Sequence, residues 1–291
     1  MKPPAFEYAA PRSIAEAVAL LRAHDGEAKL LAGGQSLMPL LAMRLARPSL
    51  LIDLGRIDGL DYVREEAGAI AIGAMTTKTT VERSELVRTR QQLFLEATRL
   101  IGHPQIRNRG TVGGSMAHAD PAAEYPAAAL LLGAKLRVVG DGGERSIDAT
   151  DFFVSTLTTA LEPFEILTEV RVPVLAPGTG WSMLEVSRRH GDFAMAGAAL
   201  TLRLDGGRIA SARIVLFGVG PIPVRARAAE EILAGEKPAA AIYARAAAQA
   251  CASVSEPLSD LHASAEYRLH LAGVLVERAL AEAVVRAGGI A

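Results

Sequence analysis

The sequence predicts an α+β chain in two parts, an α+β front of about 175 residues and a β-then-α back, on three observations. Apolar runs of strand length alternate with amphipathic stretches at helical spacing through the front. "VLAPGTG" (174–180) interrupts that texture as a linker. Beyond it, two strand-like runs flank an Asp205-Gly206-Gly207 turn, and from Ala226 onward the spacing is amphipathic helix. The expected boundaries are 1–175, with subdomains of about 1–55 and 56–175, and then 176–291.

Each element has its own signal. Ser13-Ile-Ala-Glu16 is a capping box before apolar residues at helical spacing (Ala17, Leu20, Leu21). "AKLLAG" reads as a short buried strand ending at the glycine pair Gly33-Gly34, and a brief helix over 37–45 and a strand over 49–54 follow. "GLDYVREEAGAIAIGA" (59–74) reads as a hairpin turning near 66–68. One longer helix is expected over 86–101, then a polar loop, "GHPQIRNRG" (102–110), leading to the second pair, Gly113-Gly114. The next helix is expected over 121–133 with Pro121 in its first turn, and "KLRVVG" and "EILTEVRVP" as strands of one sheet.

Composition excludes several functions. A net charge of −1 with both signs scattered argues against a general nucleic-acid binder or a membrane-surface protein. Half the residues are hydrophobic, yet no uninterrupted apolar run is long enough to span a bilayer. The start, "MKPPAFEYAAPRS", lacks the apolar stretch of a signal peptide, so the expected compartment is cytoplasmic. The one cysteine, Cys251, cannot form an internal disulfide or supply a thiolate set for zinc or iron–sulfur. Redox chemistry here therefore needs a cofactor held without cysteine ligands. The slightly positive mean hydropathy fits either a surface covered by partner subunits or a bias toward alanine.

The glycine pairs carry the chemistry. At a strand–loop–helix junction, paired glycines let successive N–H groups form a concave nest for an anion; they also mark ordinary tight turns. Neither loop carries the Lys-Ser/Thr of a P-loop or a spaced G-x-G-x-x-G. That disfavours ATP hydrolysis and a Rossmann dinucleotide site. Asp120, just before Pro121, reads as a helix N-cap. Arg107 and Arg109 could neutralise phosphate or meet an acidic partner. "GGSMA" falls one residue short of a nucleophile elbow, with His118 too close in sequence to serve Ser115 as a triad partner.

"AGGQSLMP" (32–39) and "TVGGSMAHADPAAE" (111–124), followed by "RRHGDFA" (188–194) and "GPIPVRARAAE" (220–230), resemble the FAD-binding medium subunit of the molybdenum hydroxylases. That is the carbon monoxide dehydrogenase and xanthine dehydrogenase group, and the resemblance covers essentially the whole chain. It implies a two-subdomain FAD-binding fold of the PCMH type, followed by a C-terminal domain of antiparallel strands and a helical bundle. It implies that FAD is held by Leu30, Leu31, Ala32, Gly33, Gly34, Gln35, Ser36 and Leu37 from the first loop. Thr111, Val112, Gly113, Gly114 and Ser115 complete the diphosphate wrap, and Glu124 meets the sugar hydroxyls, with Asp120 nearby. Ile101 and Leu167 match positions that line the cofactor, where core packing is an equally good account. Phe193 matches a position beside the isoalloxazine ring.

The resemblance further implies a large partner subunit with a molybdenum cofactor and a small one with two [2Fe–2S] clusters, assembled as a dimer of heterotrimers. No catalytic residue and no metal ligand is expected in this chain. Some relatives place a lysine before the Arg-Arg pair, near the flavin pyrimidine edge; here Leu184 and Glu185 occupy that stretch, leaving Arg188 or Arg189 to balance reduced-flavin charge. Two other readings stay open: a self-sufficient flavin oxidoreductase, and a flavin-free structural subunit.

Overall fold

The computed structural model describes residues 2–289. The chain opens with β1 (Glu7–Ala9), α1 (Ile14–Ala23), β2 (Ala28–Leu31), α2 (Leu37–Ala42) and β3 (Leu50–Asp53). These strands form a parallel sheet in the order β1-β3-β2. Crossovers through α1 and α2 make the parallel pairing possible. The Ser13 hydroxyl accepts from the Glu16 amide at 3.2 Å, but the Glu16 carboxylate accepts from the Arg12 amide at 2.9 Å, one residue before the cap. The capping box is therefore half a box.

The second unit runs β4 (Val63–Glu66), β5 (Ala69–Gly73), α3 (Lys78–Arg83), α4 (Glu85–Arg90), α5 (Gln92–Leu100), α6 (Pro104–Arg107), α7 (Val112–His118) and α8 (Glu124–Leu132). It closes with β6 (Lys135–Gly140), β7 (Gly143–Asp148), α9 (Ala149–Phe152), the ribbon β8 (Phe153–Ser155) and β9 (Thr158–Thr159), and β10 (Ile166–Pro173). Its antiparallel sheet has the order β4-β5-β10-β6-β7. The β4–β5 hairpin turns at Ala67 and Gly68, both with positive φ (51° and 75°), the backbone that a tight two-residue turn demands.

Three expectations are corrected here. The single helix over 86–101 is two helices broken at Gln91, whose side chain is buried and donates to the Pro173 carbonyl at 2.5 Å. The loop 102–110 contains α6, and the stretch carrying the second glycine pair is the helix α7. The helix expected over 121–133 begins at Glu124, so Pro121 lies outside it.

The last unit has β11 (Thr179–Val186), β12 (Ala196–Asp205), β13 (Arg208–Phe217), β14 (Val224–Arg225), α10 (Arg227–Leu233), α11 (Ala240–Ala252) and α12 (Ala265–Arg286). The four strands form one antiparallel sheet in sequence order. One face of this sheet buries Leu200, Ile214 and Leu216 against the helices, while Met183, Ala199, Val215 and Phe217 join the core of the second unit. Arg268, from α12, is buried and donates to the carbonyls of Met195 (2.6 Å) and Gly218 (2.8 Å) while pairing with Asp260. It anchors the long helix to the loops on the front side of the sheet.

Candidate cofactor-binding site

The first glycine loop leaves β2 at Leu31 and enters α2 at Leu37. Gly34 has φ +72°, which an L side chain rarely adopts. Among the described residues, nothing accepts a hydrogen bond from the backbone amides of residues 33–37. Unpaired donors of this kind need water or a ligand. Successive free amides behind a left-handed glycine have the chemistry of an anion nest.

The second pair does a different job. Thr111 caps α7, its hydroxyl accepting from the Gly114 amide at 3.1 Å. The Val112 amide donates to Thr76 (3.0 Å) and the Gly113 amide to Ala74 (2.8 Å). These amides face inward, so Gly113 and Gly114 do not themselves form an outward nest. They permit close packing instead: a Cβ on Gly113 would lie 2.5 Å from the Ala74 Cβ. The two loops also touch. A Cβ on Gly33 would fall 2.2 Å from the Arg109 carbonyl oxygen, and one on Gly114 would fall 3.4 Å from the Ala32 Cβ. Gly114 does not have positive φ.

Asp120 does not cap α8; Ala123 holds the cap position. The Asp120 carboxylate accepts from the Ala122 amide at 2.9 Å, closing a turn just before the helix. Glu124 opens α8 and is 4% exposed. Burial raises its carboxyl to about 7, offset in part by its own amide and by the Lys78 charge. Burial likewise lowers Lys78 to about 8, with Glu124 opposing the shift. The Lys78 ammonium lies 5.7 Å from the centre of the Tyr125 ring. Burial lowers His118, and Glu185 on β11 rises to about 8 through burial and then the nearby Glu124 charge.

The apolar candidates are also placed. Ile101, at the end of α5, and Leu167, on β10, are both buried in the same core. Phe193 is 59% exposed on the loop between β11 and β12. That loop packs on the Ile101 end, since a Cβ on Gly191 would lie 3.1 Å from the Gly102 carbonyl carbon. Arg107 is unavailable for phosphate: it is buried, paired with Glu82 at 2.9 Å and donating to the carbonyls of Ile101 and Gly102. Arg189 pairs with Asp192 (3.1 Å) and Arg188 meets His262 (3.2 Å). Arg109 is exposed at the seam of the two loops.

Residues 4–175 match the FAD binding domain in molybdopterin dehydrogenase, and residues 181–283 match the CO dehydrogenase flavoprotein C-terminal domain. The chain belongs to this family. It is 42% identical to the carbon monoxide dehydrogenase medium chain of Hydrogenophaga pseudoflava, covering 98% of this chain and 99% of that one. It is also 42% identical to the nicotine 6-hydroxylase medium subunit of Paenarthrobacter nicotinovorans, over 98% and 100% of the two chains. Among solved structures, quinoline 2-oxidoreductase from Pseudomonas putida 86 superposes with a TM-score of 0.94 at 39% identity, covering 99% of both chains. FAD is thus the cofactor of this chain, and the chain is the FAD-binding component of an oxidoreductase.

The residues fit that cofactor. Free amides at 33–37 suit a diphosphate, and a buried carboxylate at Glu124 suits sugar hydroxyls. Sequence reasoning missed Lys78. It sits in the unremarkable run "TTKTTVE", and nothing in the spacing marks a buried amine there.

Proposed function

We propose that this chain is the electron-collecting subunit of a molybdenum hydroxylase, working beside a large molybdenum-cofactor subunit and a small [2Fe–2S] subunit in a dimer of heterotrimers. The supporting observation is the contact of the two glycine loops, Gly33 against Arg109 and Gly110 and Gly114 against Ala32, beside the free amides of residues 33–37; Thr111 and Ser115 belong to the second loop. FAD, once bound, would supply the electron-transfer chemistry that links the iron–sulfur partner to an external acceptor. This chain's residues bind and orient. The amides of residues 33–37, with Leu30, Leu31 and Ala32 leading into them, hold the diphosphate; Gly114 lets the second loop approach Ala32 of the first, while Val112 and Gly113 fix that second loop on Thr76 and Ala74. Glu124 accepts from sugar hydroxyls, and Asp120 shapes the turn that presents it. Ile101, Leu167 and Phe193 exclude water from the ring. The front, 1–175, with parts of about 1–55 and 56–175, forms the cofactor domain, and 176–291 closes over it.

Substrate chemistry belongs to the large subunit on this reading. The large subunit selects the substrate, and carbon monoxide, a purine, an aldehyde and an N-heterocycle are the alternatives. No helix among the described residues is long and apolar enough to cross a membrane, which is compatible with a cytoplasmic complex. The test is turnover by the purified chain alone, with FAD and an artificial acceptor, on carbon monoxide, nicotine, caffeine and xanthine. No turnover alone, with flavin reduced once the two partners are restored, is the expected result. Turnover without partners establishes a self-sufficient oxidoreductase instead.

A further inference from the structure

Lys78 stands beneath the second glycine loop, and the family's motifs leave it without a role. It is 8% exposed, on α3, and its backbone amide donates to the Gly110 carbonyl at 2.9 Å. A Cβ on Gly110 would lie 3.4 Å from the Lys78 Nζ, so the ammonium sits directly under the loop. Among the described residues, it neither donates a hydrogen bond nor reaches ion-pair distance of any carboxylate. Glu124, 4% exposed, has no side-chain partner either. The Lys78 ammonium lies 5.7 Å from the ring centre of Tyr125, the residue that follows Glu124 at the start of α8, yet it makes no ion pair with that carboxylate. Burying each without a side-chain partner is costly, and a polar group placed between them offsets that cost for both. The tip of Lys78 is still reachable, because the polar side-chain atoms sealed away without a partner are those of Gln91, Glu185, Tyr243 and Arg268.

A hydroxyl fits that place because it accepts and donates at once. We propose that Lys78 is a ligand of the cofactor: its ammonium donates to a sugar hydroxyl of bound FAD, and that same hydroxyl donates to Glu124. The inference rests on the FAD-subunit reading above. His118 on α7, Asp120 in the turn, Tyr125 on α8 and Glu185 on β11 face the same region, and none of them offers a second unpaired cation there. The hydroxyl proposed is a 2′-hydroxyl, of either the ribityl chain or the adenosine ribose; both present the same chemistry.

The experiment titrates the flavin-stripped complex with FAD, with 2′-deoxyribityl FAD and with 2′-deoxyadenosine FAD, using the parent and K78M. In the parent, one analogue binds about tenfold or more weakly than FAD, the loss expected of a charge-assisted hydrogen bond. The analogue that does so identifies the sugar. K78M weakens FAD by a similar factor and no longer distinguishes FAD from that analogue. Glu124→Gln combined with K78M is no weaker than K78M alone by more than a few-fold, because the two act through one hydroxyl. FAD binding by K78M at parental affinity overturns the proposal, as does a K78M that discriminates the analogues as the parent does. Equal binding of all three flavins by the parent also overturns it while leaving the FAD-subunit reading intact. A parent complex that takes up no flavin sinks both.

Discussion

Gly33 and Gly110 lie in contact, the Gly110 Cα only 2.7 Å from where a Gly33 Cβ would stand. The two segments share no sheet ladder, so the spacing of the two loops rests on this bare backbone contact and on Gly114 against Ala32. Neither neighbour of Gly33 is a flexible side-chain tip that could swing away. Gly33→Ala must therefore part the loops, at a cost of about 1–3 kcal/mol for overpacking. The measurable outcome is a lower melting temperature together with FAD lost on gel filtration. Retention of a full flavin complement by Gly33→Ala would show that the contact does not shape the site.

The two acids near the second loop separate by role. Glu124→Ala is expected to weaken FAD about tenfold, as loss of an acceptor to a sugar hydroxyl should. Asp120→Ala breaks the bond to the Ala122 amide and lowers stability by about 0.5–1.5 kcal/mol, with FAD affinity nearly unchanged. Isothermal titration with FAD on both variants decides the matter, and equal losses of affinity contradict the assignment.

Arg107 serves the fold. Its guanidinium is tied to Glu82 and to the carbonyls that end α5, so Arg107→Ala leaves those groups short of donors. The expected loss is about 1–3 kcal/mol of stability, read by urea unfolding. The FAD dissociation constant of the folded variant stays within a few-fold of the parent. A large drop in affinity without loss of stability would return Arg107 to the phosphate.

Glu185 sets a pH dependence. Burial, then the Glu124 charge, raises it from its ordinary 4.5 to about 8. The folded chain thus keeps a proton that the unfolded chain gives up as pH climbs from 4.5 toward 8. Folded protons then outnumber unfolded ones, so this group's contribution to stability falls across that window and is flat above it. Glu185→Gln removes the fall: melting temperatures match the parent near pH 4.5 and exceed it at pH 8.5. A variant that melts below the parent at pH 8.5 contradicts this account.

Local signals were legible in the sequence. The 59–74 hairpin and the β12–β13 pair around Gly206-Gly207 stand where turn chemistry and alternation placed them, because those signals act within a few residues. The break at Gln91 was not legible, since it depends on the Pro173 carbonyl, 82 residues away in the chain. The helix α7 was hidden by its own glycines, which propensity disfavours. It forms because Thr111 caps it and Ala74 accepts from Gly113 across the gap left by a missing side chain. The two glycine pairs look alike in the sequence, which hides the difference between them. One frees its amides, whereas the other spends its own on packing. Lys78 and the sealed carboxyl of Glu185 give no local signal, because burial of a lone charged side chain is a property of the assembled fold.

The central claim is that these two loops hold FAD. Its most direct test is the visible absorption spectrum of the complex containing this chain, with flavin released by acid and identified by mass, for the parent and for Gly114→Val. The account predicts one FAD for each copy of this chain in the parent, and flavin lost from the variant, whose larger side chain would crowd Ala32 and the Thr111 hydroxyl. A parent complex without flavin, or a Gly114→Val complex that holds FAD as the parent does, would contradict it.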